Sequence, residues 1–321
     1  MRSHLLTFLL YLSFEFRVCL FQLVYILVLS VMIRKRHRRL SCYKIMIALG
    51  FYDMCQISLN SLLSGYFWLT GANYCMHPTL MYITGGLALG LWCGTCMNCF
   101  ALVINRLLDI WDRQYMEMVS RFCKRTYFVL LLPLAYFLYF TFCTPPVLFN
   151  SDHTAWFFTP FTTNHKIEEY VNIPHSINNL LIVAVTTLLY GLYAKVLLRS
   201  SRGSKLNIPL QFFIQTSSIC MANLTGSLIY VYMQFFETPA YFILIGHVSW
   251  MLSNGKHIFC FCTHCRGAGW RLAMHRWAMA SPCAVIVGLA TYGSCLATSS
   301  PMAKANQKYI CTPRGIDGYT V

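Results

Sequence analysis

Charge is what this sequence has least of. Asp, Glu, Lys and Arg together make up 11% of its 321 residues, and only 10 side chains are acidic. A soluble domain averages about 25% charged residues, so a conventional globular enzyme is excluded as a reading of the whole chain. Catalytic signatures are also missing. There is no H-E-x-x-H, no G-x-S-x-G and no G-x-x-x-x-G-K-[ST], so zincin, α/β-hydrolase and P-loop chemistry have no support. No pair of interrupted apolar helices in matching halves points to a transporter. The chain reads as a non-enzyme with no cofactor.

Long apolar runs take the place of charge. Hydrophobic residues reach 57%, and they are concentrated in stretches of membrane-spanning length. The stretch 79–104 holds no charged side chain and stops at Asn105-Arg106. A bilayer core of about 30 Å needs about 20 apolar residues. Gly85, Gly86, Gly90 and Gly94, with Cys93, Cys96 and Cys99, keep its surface small, which lets neighbouring helices approach closely. It is expected to be the central helix of a bundle.

Seven spans are expected, at about 12–33, 42–69, 79–106, 126–149, 173–198, 208–236 and 239–261. Together they make an all-α domain over 1–265 with an atypical tail over 266–321. Arg2 and the apolar residues 5–14 resemble the start of a secretory signal, but no small-x-small cleavage site follows. Pro133 falls inside the fourth span and Pro145-Pro146 ends it. The net charge of +15 is distributed in short clusters between apolar runs, so nucleic acid is not the expected partner.

Those clusters set the orientation. Arg34, Lys35, Arg36, Arg38, Arg39 and Lys44 flank the first turn. Arg106, Arg113, Arg121, Lys124 and Arg125 flank the third, and Lys195, Arg199, Arg202 and Lys205 the fifth. Against these fifteen, the three loops on the other side hold one basic residue, Lys166. Cytoplasmic loops retain Lys and Arg, so the amino terminus is expected outside and the carboxyl terminus inside.

Most of the 16 cysteines lie within apolar runs, where a thiol behaves as a small hydrophobe. Cys260, Cys262 and Cys265, with His257 and His264, lack the second paired cluster of a zinc module. Their juxtamembrane position suits palmitoylation. The weakly apolar run 278–299 is too rich in small residues to make a strong eighth span, and 301–321 has a disordered composition. Asn223-Leu224-Thr225 is a formal glycosylation sequon, but it falls inside the sixth span.

Two constellations are candidates for function. At depth lie Asp53, Asn98, Asn223 and Asn254, joined at the inner end of the third span by Asn105 and Arg106. Intramembrane polar groups seek partners across helices at about 0.6 kcal/mol each. Static glue and a switch between two packings both fit. Arg106 can pair with other helix ends in one state, or simply snorkel to the interface. In the outer half lie Tyr82, Trp92, Trp156, His175, Asn178, Asn179, Tyr230, Tyr232, Gln234, His247 and Trp250. An apolar pocket with a few polar groups suits a small molecule, while aromatics near an interface also serve as anchors.

The segments SCYKIMIALGFYDMCQ (41–56), YCMHPTLMYITGGLALGLWC (74–93), NRLLDIW (105–111), TPPVLFNSDHTAWFFTPF (144–161), HSINN (175–179) and IYVYMQF (229–235) resemble the nematode serpentine chemoreceptors of class T (Srt), within the G-protein-coupled receptor architecture. The resemblance covers about 40–255. It implies a plasma-membrane receptor, in sensory neurons and their cilia, that binds a small molecule and activates a heterotrimeric G protein. By the wider receptor pattern, Leu49 and Asp53 resemble the LxxxD of the second span. Asn105-Arg106-Leu107 stands where an acidic-Arg-aromatic triplet is usual. Cys75 resembles a cysteine often bridged to the second outer loop, but residues 150–172 hold no cysteine. C-W-x-P and N-P-x-x-Y motifs are absent from spans six and seven.

The amino terminus is short for the family, and Lys256-His257 follows Asn254-Gly255 where a proline is expected. A truncated or mis-spliced gene model would account for both departures, which the transcript sequence tests. Two rival classes remain. A ligand-gated channel would pass current without G proteins. An intramembrane metal hydrolase would use the scattered His77, His175, His247 or His257 and would show metal on purification.

Overall fold

A computed structural model describes residues 22–34 apart from 24, 41–110, 126–151, 155–158, 170–200 and, in parts, 217–250. The expectations placed on Gln234, Asn254, His257, the Cys260–Cys262–Cys265 cluster and 278–299 lie outside the described residues, as does the side chain of Arg106.

The described chain is helical apart from one hairpin. Helix α1 covers 25–32. Helix α2 (Ser41–Ile57) passes through a π-helical turn (Ser58–Leu63) into α3 (Ser64–Leu69). Helices α4 (Pro78–Ile110) and α5 (Thr126–Phe142) follow. Strands β1 (Leu148–Asn150) and β2 (Ala155–Phe157) precede α6 (Ile173–Ser200), and α7 covers 223–233. Three described helices are long and apolar enough to cross a membrane: Ser41–Leu69, Pro78–Asn105 and Ile173–Val196. The first holds 29 residues, about 43 Å of helix at ~1.5 Å per residue, enough to cross a bilayer core of about 30 Å and reach into the headgroup regions.

Local sequence explains where these helices stop. Gly71 has φ 63°, a left-handed conformation that glycine adopts at little cost. The Ala72 amide donates to the Phe67 carbonyl at 2.8 Å and the Gly71 amide to that of Trp68 at 3.2 Å. Together they close the end of α3 as a Schellman motif. Pro78 then opens α4, where a missing N–H costs nothing. Pro145-Pro146 acts earlier than the expected boundary at 149. Helix α5 ends at Phe142, and Leu148–Asn150 is already strand. At the start of α6, Asn172 is the N-cap: its Oδ1 accepts the His175 amide at 2.9 Å.

Helix α4 is central. Of its apolar window 78% is buried, against 50% for Ser41–Leu69 and 28% for Ile173–Val196. Its glycines explain how. A Cβ at Gly85 would overlap the Val147 carbonyl, one at Gly90 would strike Thr141 Oγ1 and the Phe137 carbonyl, and one at Gly94 the Tyr52 ring. Helix α5 and the segment after it therefore lie backbone-close against α4, a contact that only a small surface permits.

Apolar packing divides into an outer cluster around Phe67, Met81, Trp92, Phe149 and Trp156 and an inner one around Met32, Ile45, Leu49, Leu102 and Val103. Between them runs a polar seam. The Tyr25 hydroxyl donates to Asp53 Oδ2, Gln56 Nε2 to Thr95 Oγ1 at 2.9 Å, and Gln22 Nε2 to Ser58 Oγ at 2.8 Å.

Candidate functional site

An outer cavity of about 200 Å³ is walled by α4, α6, α7 and the hairpin. The hairpin is its lid. Strands β1 and β2 pair antiparallel, with Phe149 opposite Trp156 and Leu148 opposite Phe157. Trp156 is pinned from below: its indole N–H donates to Ser64 Oγ at 2.9 Å. Its ring lies 6.2 Å from Phe67 and 5.4 Å from Phe149. Ser64 follows directly on the π turn, a helical irregularity found often at functional sites.

The floor is a chain of hydrogen bonds whose direction is fixed by chemistry. An indole can only donate, so Trp92 Nε1–H donates to Asn179 Oδ1 at 3.3 Å. The Asn179 amide nitrogen must then face outward, and it lies 3.3 Å from His175 Nε2. That nitrogen therefore accepts, which assigns the ring proton of neutral His175 to Nδ1. Asn178 Nδ2 also donates to Asn179 Oδ1 at 3.3 Å, and the Tyr136 hydroxyl donates to Asn178 Oδ1 at 3.0 Å. One buried chain thus joins α4, α5 and α6 beneath the cavity. Trp92 also meets Trp250 edge-on at 6.2 Å and leaves 3.3 Å to a Cβ built at Gly226 on α7.

Of the outer residues singled out by sequence, Trp92, Trp156, His175, Tyr230 and Trp250 line the cavity. Asn178 and Asn179 sit beneath it, and buried His247 packs on Trp250 at 6.3 Å. Tyr82 does not join them. It is 57% exposed, whereas its neighbour Met81 is fully buried. Tyr232 is also exposed and stacks on Phe236 at 4.8 Å. The wall residues that sequence reasoning missed include Leu89, Phe158, Tyr170, Asn172 and Met233. Asn172 carried a signal, an N-cap residue directly before an apolar run. The others carried none.

The deep polar residues do not behave as one set. Asp53 bonds Tyr25 on α1. Asn223 Nδ2 donates across helices to Cys99 Sγ at 3.1 Å. Asn98, expected to reach across helices, donates within its own helix to the Gly94 carbonyl at 3.0 Å, because that i−4 oxygen is already in reach. Asn105 Nδ2 donates to Ser41 Oγ at 3.1 Å and ties the inner ends of α4 and α2. Among the described residues no cluster of His, Cys, Asp and Glu could hold a metal ion. Cys75 is disulfide-bonded, so the chain before α4 is tethered, though not to residues 150–172, which hold no cysteine.

The sequence model for serpentine type 7TM GPCR chemoreceptor Srt matches residues 10–267. The chain is also similar to "Serpentine receptor class T-55" of Caenorhabditis elegans, at 28% identity over 222 residues. That match covers 67% of this chain and 60% of the length of the relative.

Proposed function

The chain belongs to the Srt family of serpentine 7TM GPCR chemoreceptors, and from that premise we propose that it is a chemosensory receptor that binds a small molecule in the outer cavity and activates a heterotrimeric G protein. The observation that carries this reading is the lidded aromatic cavity itself, a concave and mostly apolar site with few polar groups. Its floor residue Trp92 touches α6 through Asn179, α7 through Gly226, and the ring of Trp250. A ligand that shifts this indole changes the packing of α4 against α6 and α7, and packed interfaces respond as two-state elements.

At the inner end, the two-state element is the junction of α4 with its neighbours. Asn105 holds α2 through Ser41, where a carboxylate is usual in the wider receptor pattern. Freed Arg106 and the basic inner loops then form the surface that meets the G protein. The receptor works at the plasma membrane with its amino terminus outside, as the charge asymmetry of its loops supports.

Odorant screening in cells carrying a G-protein reporter tests this. An active compound should lose its effect in Trp156→Ala at equal surface expression. Arg106→Ala should lower signalling and leave surface expression intact. A ligand-evoked ionic current that persists without G proteins would contradict the reading.

A further inference from the structure

The wall of the cavity specifies more than size. Among its described lining residues no side chain is charged. Three polar heads in that wall are committed to the scaffold. Trp156 Nε1–H is spent on Ser64, and Trp92 Nε1–H on Asn179. Asn172 accepts the His175 amide through Oδ1 and donates through Nδ2 to the Pro145 carbonyl at 2.8 Å. What these residues offer the cavity is ring and aliphatic surface. Tyr230 also lines the cavity, and its hydroxyl makes no hydrogen bond to a described residue. Its ring is held edge-on by Trp250 at 6.1 Å and by His175 at 6.5 Å, so the hydroxyl is presented from a fixed position.

Resting on the reading of this cavity as the ligand site, we propose that it selects an uncharged, compact, mostly apolar molecule with one hydrogen-bonding oxygen, received by the Tyr230 hydroxyl. The size follows from volume. A dry cavity of about 150 Å³ holds benzene, so this one admits about seven to ten heavy atoms. Charge is excluded by desolvation. An ion gives up its hydration here with no opposite charge in the described wall, and the attraction of a ring face for a cation offsets only part of that loss. The oxygen is required by Tyr230, because a hydrocarbon of the same shape leaves that hydroxyl unpaired.

Four size-matched probes test this on the purified full-length receptor in lipid nanodiscs: benzyl alcohol, ethylbenzene, benzylammonium and benzoate. Binding is read as the saturable change in tryptophan emission, since Trp92, Trp156 and Trp250 all face the site. Benzyl alcohol should bind at least tenfold more tightly than either ion. Leu89→Phe, which pushes a ring into the cavity wall, should weaken its binding. Tyr230→Phe keeps the ring packing; it should weaken benzyl alcohol about fivefold and tighten ethylbenzene, whose penalty for covering the unpaired hydroxyl is removed. An ion that binds as tightly as the alcohol, at a site sensitive to Leu89→Phe, overturns the ligand class and leaves the cavity reading standing. Equal effects of Tyr230→Phe on alcohol and hydrocarbon also overturn it. If no probe shows saturable binding sensitive to Leu89→Phe, both fall together.

Discussion

Trp156 and Ser64 are 92 positions apart in sequence, yet the indole N–H of one meets the hydroxyl of the other at 2.9 Å in a buried contact. This bond fastens the hairpin lid to α3, the outer end of the membrane-crossing helix Ser41–Leu69. Ser64→Ala should therefore loosen the lid without removing it. A typical buried hydrogen bond contributes about 1 kcal/mol, so agonist potency should fall about fivefold, chiefly through faster dissociation. Washout kinetics in the reporter assay measure this. Unchanged dissociation would mean that the lid does not hold the ligand.

Close approach of α4 to the chain at Val147 makes Gly85 intolerant of any side chain. Gly85→Ala drives its Cβ into a backbone carbonyl, and overpacking of this kind costs about 1–3 kcal/mol. Gly191 on α6 has nothing within 4 Å of its hypothetical Cβ. Gly191→Ala should be neutral or slightly stabilising, as Ala exceeds Gly in helix propensity. Melting temperatures of the two detergent-solubilised variants should separate clearly, with only Gly85→Ala lowered.

Tyr25 and Asp53 should be energetically coupled. Their hydrogen bond joins α1 to α2 across 28 positions of sequence, and Asp53 is fully buried. Tyr25→Phe removes a donor from a buried carboxyl group, which costs about 1–3 kcal/mol. In Asp53→Leu, which has no acceptor for the tyrosine hydroxyl, the same Tyr25→Phe change should cost much less. A double-mutant cycle on thermal stability should return a coupling of about 0.5–3 kcal/mol; strict additivity would dissolve the pair.

Much of this arrangement was legible in the sequence, for identifiable reasons. A charge-free stretch bounded by Asn105-Arg106 can only be a long buried helix, and the run of small residues along it foretold tight packing. Trp92, His175 and Trp250 were visible as outer-half groups because distance along a helix maps to depth. The direction round the helix was not visible from local sequence. Tyr82 and Met81 differ by one position, yet about 100° of rotation sends one outward and the other into the core. The hairpin was also hidden. Ala155-Trp156-Phe157 reads as loop aromatic residues, and only its pairing with Leu148–Asn150 makes it a lid. Asp53 announced itself as costly, but its partner Tyr25 sits on another helix in an ordinary apolar run.

Orientation in the membrane has a direct check. An epitope fused ahead of Met1 should be reached by antibody on intact cells. Labelling only after permeabilisation would invert the bundle, and with it the assignment of the aromatic cavity to the outer half.

The central claim is that a ligand sits beneath the hairpin. An agonist-bound receptor imaged together with its G protein tests it most directly. The agonist should occupy the space between Trp92, Trp156, Tyr230 and Trp250, with the basic inner loops against the G protein. Agonist density at any other place, with this cavity closed or empty, would contradict the account.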